Sequence, residues 1–253
     1  MGGINLIPFK SSYYQNKIEE FGSKVKTTED FSVNNCRIYW DFYKEGKHKG
    51  YMHVFKGVLR NVPCLYENDI MWMSLNGEEI GGYYEVLKRA KGVVGVVGLG
   101  IGYFVEELSS KGKVEKVIVY ESNRDIIEIY NKLFDKNEKI EIINCDARDA
   151  TGGKFDFFFV DIYRYQFNEE IVEDYQLFNK NHDIKEYSFF GMEHFVLSLR
   201  EEDIEEKILP EYWLAMSKNV GDKFFESRYK DNFIPISYKK VKNLYNKFKS
   251  VFM

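Results

Sequence analysis

Three glycines and three carboxylates in the middle of the chain have the types and spacing of a ligand-binding cleft. The glycines belong to the segment Gly98-Leu99-Gly100-Ile101-Gly102, and the acids are Glu121, Asp146 and Asp161. Glycine permits sharp turns and close approach of the backbone to a ligand, whereas a carboxylate accepts hydrogen bonds from hydroxyl groups. Together these residues predict a cleft for a ligand that contains a ribose.

Each of these groups follows, within three residues, a short apolar run of the kind that forms a buried parallel strand. The runs are residues 93–97, 117–120, 140–143 and 157–160. The carboxyl ends of parallel strands share one edge of a sheet, which is where open α/β sheets bind ligands. We therefore expect the glycine loop and the acids to face one cleft. Separately, each acid could instead cap a helix, and the glycines could merely pack a helix against a strand.

The segments around these runs predict an α/β protein. Residues 79–90 and 125–134 have helical spacing, and residues 186–190 form a possible fifth strand followed by a helix through residue 200. Before residue 79, short aromatic and β-branched runs separated by turn-rich stretches such as Lys44-Glu45-Gly46 indicate antiparallel strands. Strands that alternate with helices indicate a parallel sheet built from βαβ units.

The glycine spacing distinguishes between classes of cofactor. The dinucleotide motif GxGxxG requires a third glycine at position 103, but that residue is Tyr103 and the third glycine is Gly102. The Gly-Lys-Ser/Thr of a phosphate-binding P-loop is also missing. The sequence therefore disfavours NAD and gives no support for ATP hydrolysis.

These motifs resemble those of class I S-adenosylmethionine-dependent methyltransferases. Their first three motifs have counterparts in residues 96–102, 119–122 and 144–147. The cofactor-binding residues that this resemblance implies are Gly98, Gly100, Gly102, Glu121, Ser122, Asp146 and Ala147.

The resemblance also implies a role for each part of the cleft. The glycine loop would hold the methionine part of the cofactor, Glu121 the ribose and Asp146 the adenine amino group. Asp161 matches the fourth motif of the family and would act at the reacting centre, as a general base or as a group that orients an amine.

Within this superfamily the chain looks most similar to the spermidine-synthase-like branch. Members of that branch have a small β subdomain before the Rossmann domain and a Tyr-x-Glu helix, which Tyr83-Tyr84-Glu85 resembles. They also carry an Asp-Ser-Ser-Asp-type loop after the fourth strand, whereas Ile162-Tyr163-Arg164-Tyr165 follows Asp161 here and contains no second acid. Tyr84 and Tyr163 are expected to line the substrate pocket.

Three hypotheses about function follow from the residues and the resemblance. The first is methyl transfer from S-adenosylmethionine to a small molecule or a protein nucleophile. The second is aminopropyl transfer from decarboxylated S-adenosylmethionine. The third is a non-catalytic protein that keeps the cofactor cleft, which the acid-poor loop after Asp161 leaves open. The acceptor and the oligomeric state are unknown at this level.

The resemblance and the patterns together divide the chain into three parts. Residues 1–78 are expected to form an N-terminal β subdomain, residues 79–205 a Rossmann-like methyltransferase domain, and residues 206–253 a helical C-terminal extension. In the extension, apolar residues recur at helical spacing opposite several lysines from residue 238 onward. We expect this amphipathic helix to dock its apolar side on the main domain rather than to bind lipid or nucleic acid.

Composition and charge bear on partners and compartment. A net charge of −4 gives no overall attraction to a polyanion, so a nucleic acid partner is not expected. The Asp/Asn-Pro-Pro-aromatic loop of DNA amino-methyltransferases is also missing after residue 160. No apolar run is long enough to span a bilayer, and residues 1–8 lack a secretory leader, so membrane insertion and secretion are not expected.

Cysteine and histidine spacing points to a cytoplasmic protein without a metal. Cys36, Cys64 and Cys145 are odd in number and widely spaced, which predicts neither a disulfide framework nor a zinc site. The four histidines likewise lack the spacing of metal ligands; they are His48, His53, His182 and His194.

Overall fold

The structure is a computed structural model that describes residues 8–253 of the chain. Two predictions involve residues 1–7, namely the lack of a leader and the start of the N-terminal subdomain. The parts of these two predictions that concern residues 1–7 lie outside the described residues.

Residues 8–74 form one helix and two antiparallel sheets. The elements are α1 (Ser11–Lys24), β1 (Phe31–Val33), β2 (Cys36–Asp41), β3 (Lys44–Gly50), β4 (His53–Leu59), β5 (Val62–Glu67) and β6 (Ile70–Ser74). Strands β1, β2, β5 and β6 form a sheet with β1-β2-β5-β6 order, and β3 pairs with β4 in a separate hairpin. The antiparallel strands predicted for this region are therefore confirmed.

Two elements of this region differ from the predictions. The opening segment contains α1, in which Tyr14, Ile18 and Phe21 are buried at helical spacing. The stretch that begins at Lys44 is extended rather than a turn, because it pairs with β4 over its whole length. Its polar sequence is compatible with a strand because much of β3 faces solvent at the edge of the hairpin.

The central part of the chain forms a five-stranded parallel sheet with helices. Its elements are α2 (Gly77–Gly82), α3 (Tyr84–Arg89), β7 (Gly92–Val97), α4 (Tyr103–Ser109), β8 (Val114–Glu121), α5 (Arg124–Leu133), β9 (Ile140–Asn144), β10 (Lys154–Phe155), β11 (Phe157–Val160), α6 (Glu170–Asn181), β12 (Asp183–Ile184) and β13 (Tyr187–Phe189). The sheet order is β13-β11-β7-β8-β9, and all neighbouring strands run parallel. The predicted Rossmann-like α/β fold and its five strands are thus confirmed.

The helix predicted over residues 79–90 is two helices, α2 and α3, which meet at Tyr83. Glycine has low helix propensity, and Gly81 and Gly82 end α2. Both also lie against large side chains, since an added Cβ would come within 2.6 Å of Tyr51 Cβ at Gly81 and within 2.5 Å of the Phe190 ring at Gly82. The break between the helices thus lies in closely packed backbone.

The remaining chain is helical and closes one edge of the sheet. It contains α7 (Met192–Leu197), α8 (Glu201–Glu205), α9 (Glu211–Phe225) and α10 (Tyr238–Phe252). The helix predicted to run through residue 200 therefore ends at Leu197. At the edge strand β13, the Tyr212 hydroxyl donates to the Tyr187 carbonyl and accepts from the Tyr187 N–H, both at 2.9 Å. The Trp213 indole N–H donates to the same carbonyl at 2.6 Å.

The C-terminal helix α10 docks through its apolar side, as predicted. Val241, Leu244, Tyr245 and Phe248 are buried, and the Phe248 ring lies 5.1 Å from the Trp213 ring. On the polar side, the lysines form ion pairs with neighbouring acids or extend into solvent. These pairs are Lys242 with Asp203, Lys247 with Glu169 and Lys249 with Glu206.

Replacing Phe248 by alanine is expected to lower the free energy of unfolding by about 3–5 kcal/mol, because it removes a buried ring and leaves a cavity. Urea denaturation followed by circular dichroism measures the change. Lys240→Ala, an exposed substitution in the same helix, is the control and is expected to change stability by less than about 0.5 kcal/mol. Equal stabilities of the two variants would contradict the docking of α10.

Candidate functional site

A cavity of about 740 Å³ lies at the carboxyl edge of the parallel sheet, between this edge and the N-terminal strands. It adjoins the ends of β7 and β11, the neighbouring strands where the sheet order reverses, which is the usual ligand position in open α/β sheets. Its volume falls within the range of about 300–1,000 Å³ typical of cofactor and small-molecule sites. The predicted residues that line it are Gly98, Gly100, Glu121, Ser122, Asp146, Ala147 and Asp161.

The glycine loop approaches two other parts of the cavity wall closely. Gly98 has φ +95°, and an added Cβ would lie 2.7 Å from the carbonyl oxygen of Asp161. Gly100 has φ +53°, and its Cβ would lie 2.5 Å from the sulfur of Met73. The left-handed backbone favours glycine at both positions, and at Gly98 the fixed backbone carbonyl also leaves no space for a side chain.

Gly102 does not line the cavity. It precedes α4 with φ +83°, and an added Cβ would lie 2.6 Å from the ring of Tyr130 on α5. The structure thus gives this glycine a packing role, in which it lets α4 approach α5.

Glu121 joins the end of β8 to the glycine loop. Its carboxylate is buried and accepts the Leu99 N–H at 3.0 Å with one oxygen and the Asn123 N–H at 2.8 Å with the other. Burial raises the pKa of Glu121, and these two N–H groups oppose that rise. A carboxylate has about four acceptor positions, so Glu121 can still accept the hydroxyls of a ligand.

Asp146 and Ala147 lie at the end of β9, at the open side of the cavity. The Asp146 side chain is exposed and accepts the Arg148 N–H at 2.9 Å, which begins a short helical turn at Ala147. The second oxygen of Asp146 forms no hydrogen bond within residues 8–253 and can accept one from a ligand.

Asp161 lies at the end of β11 beside a tyrosine and a second acid. The Tyr83 hydroxyl donates to Asp161 Oδ2 at 2.5 Å. Burial raises the pKa of Asp161 to about 6, whereas the bond from Tyr83 opposes the rise. Glu79 of α2 lines the same part of the cavity, and burial together with the charge of Asp161 raises the pKa of Glu79 well above its usual range. These three groups can hold a proton or accept one from a bound molecule.

The two tyrosines predicted for the substrate pocket lie elsewhere. The Tyr84 ring packs beside Tyr13 and beneath the Lys88 ammonium group, whose nitrogen is 3.9 Å from the ring centroid. Tyr163 is buried and donates to Asp174 of α6 at 3.0 Å. Tyr83, the first tyrosine of the predicted Tyr-x-Glu segment, lines the cavity instead.

The sequence prediction missed Glu79 and Tyr83, although their spacing gives a signal. Residues four apart lie on the same side of a helix, so an acid and a tyrosine at this spacing before the glycine strand indicate a shared surface. The structure has a helix break at residue 83, and Tyr83 rather than Tyr84 lines the cavity.

The loop after β11 forms the outer wall of the cavity. Arg164 and Tyr165 both have left-handed backbone, with φ +46° and +56°, which turns the chain back over the site. The Arg164 guanidinium carbon lies 4.0 Å from the centroid of the Trp72 ring on β6. This cation–π contact connects the loop to the N-terminal strands.

Residues 8–253 show neither a metal centre nor a membrane-spanning helix. In that part of the chain, no group of three or more His, Cys, Asp or Glu side chains is arranged to hold a metal ion. None of the helices described there combines the length and the apolar character needed to cross a bilayer.

The fold and the cavity define a Rossmann-like α/β protein with a candidate ligand site at the point where the strand order reverses. The sequence matches no protein-family model and no curated protein. Solved structures are similar to it at low sequence identity.

Three of these similar structures are a spermidine synthase, a methyltransferase and a decarboxylase. Spermidine synthase from Thermotoga maritima is 18% identical with a TM-score of 0.34, over 55% of this chain and 59% of that chain. An S-adenosylmethionine-dependent methyltransferase from Mesorhizobium loti is 12% identical with a TM-score of 0.33, over 40% and 49%. Precorrin 8W decarboxylase from Methanobacterium thermoautotrophicum is 19% identical with a TM-score of 0.32, over 42% and 58%.

The chain thus spans from 49% to 59% of the length of these three proteins. At such identities and TM-scores the likeness concerns the fold alone. The similar structures include methyltransferases as well as a spermidine synthase, so they do not single out the spermidine-synthase-like branch.

Gly98→Ala is expected to lower the free energy of unfolding by about 1–3 kcal/mol, because alanine is strained at this positive φ and its Cβ meets the Asp161 carbonyl. Gly112→Ala is the matched control, since an added Cβ has no atom within 4 Å there and the φ is not left-handed. Chemical denaturation of both variants measures the difference. If the two variants unfold alike, the close approach of the loop to β11 is wrong.

Proposed function

We propose that this chain binds S-adenosylmethionine in the cavity and transfers its methyl group to a small-molecule or protein nucleophile. One observation carries the proposal: a single cavity holds the glycine loop after β7 and the carboxylates at the ends of β8, β9 and β11. Each group comes from a different strand, so their convergence is a property of the sheet.

The residues in the cavity fit the parts of this cofactor. Gly98 and Gly100 leave the loop without side chains, so that the methionine part can approach its backbone. Glu121 has acceptor positions left for the ribose hydroxyls, and Asp146 presents an exposed carboxylate to the adenine amino group. S-adenosylmethionine supplies an already activated methyl group, so the protein mainly has to align the nucleophile with it.

Asp161 is proposed to take the proton that the nucleophile loses. A general base works best when its pKa lies near the working pH, and burial moves the pKa of Asp161 in that direction. The Tyr83 hydroxyl holds Oδ2, which leaves Oδ1 of the carboxylate to face the nucleophile. Glu79 adds a second acid beside it, so an amine is the nucleophile that this end of the cavity suits best.

Aminopropyl transfer from decarboxylated S-adenosylmethionine is the second candidate. The loop after Asp161 lacks the second acid of spermidine synthases, but Glu78 and Glu79 of α2 place acids in the same cavity. This arrangement supports an amine acceptor under either reaction.

Titration calorimetry with S-adenosylmethionine, its decarboxylated form and NAD tests the cofactor. We expect S-adenosylmethionine to bind in the micromolar range and NAD to give little or no heat. Glu121→Ala is expected to weaken binding by about 10–100-fold, since a hydrogen bond to a charged group contributes about 1.5–3 kcal/mol. Glu115→Ala, an exposed substitution in the same strand, is the control. Tighter binding of the decarboxylated form would favour aminopropyl transfer, and unchanged affinity in Glu121→Ala would refute the ribose assignment.

The rate of transfer is expected to depend on Asp161 and on pH. Asp161→Asn should reduce turnover by about 100-fold or more while cofactor affinity stays nearly intact, because a positioned base contributes about that much. The base acts when deprotonated, so the rate should rise with pH through a pKa of about 6.

Tyr83→Phe gives a second test of the same assignment. It removes the hydrogen bond that stabilises the charged form of Asp161, so the midpoint of the pH–rate profile should move to higher pH. Tyr84→Phe is the neighbouring control, for which we expect the wild-type profile. Loss of cofactor binding in Asp161→Asn would instead make Asp161 a ligand of the methionine amine, and binding without turnover for any acceptor would support a non-catalytic role.

A further inference from the structure

The cavity extends from Asp161 outward between two strands of the N-terminal region. Strand β6 is the last strand of its four-stranded sheet, and β3 has β4 as its partner strand in the hairpin. A parallel bridge links Gly50, the last residue of β3, to Gly77, the first residue of α2. Residues of both strands also line the cavity, on either side of one part of it. We call this part of the cavity the β3–β6 cleft.

The two strands that border the β3–β6 cleft have free backbone groups. Within residues 8–253, neither β3 nor β6 has a second partner strand on its outer edge, and the bridge to Gly77 uses the outer edge of β3 at its Gly50 end alone. Such an open edge can pair with an added extended chain through main-chain hydrogen bonds. The backbone along the cleft therefore favours a peptide over a compact small molecule.

The two sides of the β3–β6 cleft differ in charge. Strand β3 contributes Lys44, Lys47 and Lys49, and the last two of these lysines form no ion pair in the described part of the chain. Strand β6 contributes the half-exposed Met71, at 51% exposure, and Trp72, whose ring lies against the Arg164 guanidinium. A side rich in lysines opposite a mainly apolar side with one arginine is complementary to a segment that carries acidic and apolar residues.

The inner end of the β3–β6 cleft is acidic, whereas its outer part carries lysines. Glu78 and Glu79 follow the bridge at Gly77 and lead to Asp161 and Tyr83. A bound strand would thus have its acidic residues near the lysines and would extend an amine toward the carboxylates. The distribution of charge along the cleft thus favours an acceptor whose acidic part lies at the outer end and whose amine lies at the inner end.

We propose that the acceptor is an acidic protein segment that binds as an extended strand in the β3–β6 cleft and presents an amine to Asp161. This inference names the acceptor of the proposed methyltransferase and so rests on that function. The amine nitrogen forms a bond to the methyl carbon while the carbon–sulfur bond breaks. The electron pair of that bond goes to sulfur, which leaves as a neutral thioether, and the proton lost from nitrogen passes to Asp161.

Binding of synthetic peptides to the full chain tests the inference directly. The probe is a short peptide of alternating glutamate and valine with one central lysine, measured by titration calorimetry with and without S-adenosylhomocysteine. Two matched peptides serve as controls: one has glutamine in place of glutamate, and the other has methylated nitrogens at alternate backbone positions. We expect each control peptide to bind about tenfold more weakly, because one loses the ion pairs and the other the main-chain pairing.

The protein variants separate local from general effects of charge. Lys47→Glu together with Lys49→Glu is expected to weaken binding of the glutamate peptide by about tenfold. Lys223→Glu together with Lys240→Glu makes the same charge change at exposed positions of α9 and α10 and is expected to leave binding unchanged. Thermal unfolding of both double variants shows that they are folded.

Three results would overturn the inference. The glutamine peptide could bind as tightly as the glutamate peptide, the backbone-methylated peptide could do so, or both double variants could lose the same amount of affinity for the glutamate peptide. Free glutamate that binds as tightly as the peptide would also overturn it, in favour of a small anionic acceptor. If S-adenosylmethionine does not bind, the proposed function is wrong. Peptide binding measured without any cofactor still tests the cleft in that case. Cofactor binding without peptide binding rejects only the inference.

Discussion

The backbone of Gly98 passes so close to the carbonyl oxygen of Asp161 that a single added carbon would lie 2.7 Å from it. This approach sets the distance between the loop that would hold a cofactor and the acid that would act on an acceptor. Glu121 fixes the loop from the other side through the Leu99 N–H. The site thus consists mainly of backbone held at the ends of adjacent strands, and the position of its reactive groups follows from the sheet register.

Tyr83 connects this edge of the sheet to the rest of the molecule. Its ring stacks on Phe104 of α4 with centroids 4.6 Å apart and packs beside Phe190, while its hydroxyl reaches Asp161. The residue lies where α2 ends and α3 begins, so the break between these helices determines where the hydroxyl lies. Any shift of α2 relative to the sheet would therefore change both the packing of the core and the protonation of Asp161.

The sequence was sufficient to predict the sheet and the carboxylates at its edge, because buried parallel strands are short apolar runs and the residue after each run lies at a known place. Residues whose position depends on tertiary packing were harder to predict from the sequence. Tyr83 and Glu79 depend on a helix break at two glycines. Tyr84 and Tyr163 do not line the cavity, because their side chains pack against Lys88 and Asp174 instead. Strand β3 was missed because its polar residues face solvent at an edge.

The edge strands β13 and β6 differ in whether their outer backbone groups form hydrogen bonds. At β13, the side chains of Tyr212 and Trp213 occupy the N–H and carbonyl of Tyr187, and the sheet stops there. An unpaired strand edge can pair with a strand of another chain, whereas the outer N–H and C=O of Tyr187 are already bonded to side chains of α9 and offer no such pairing at this residue.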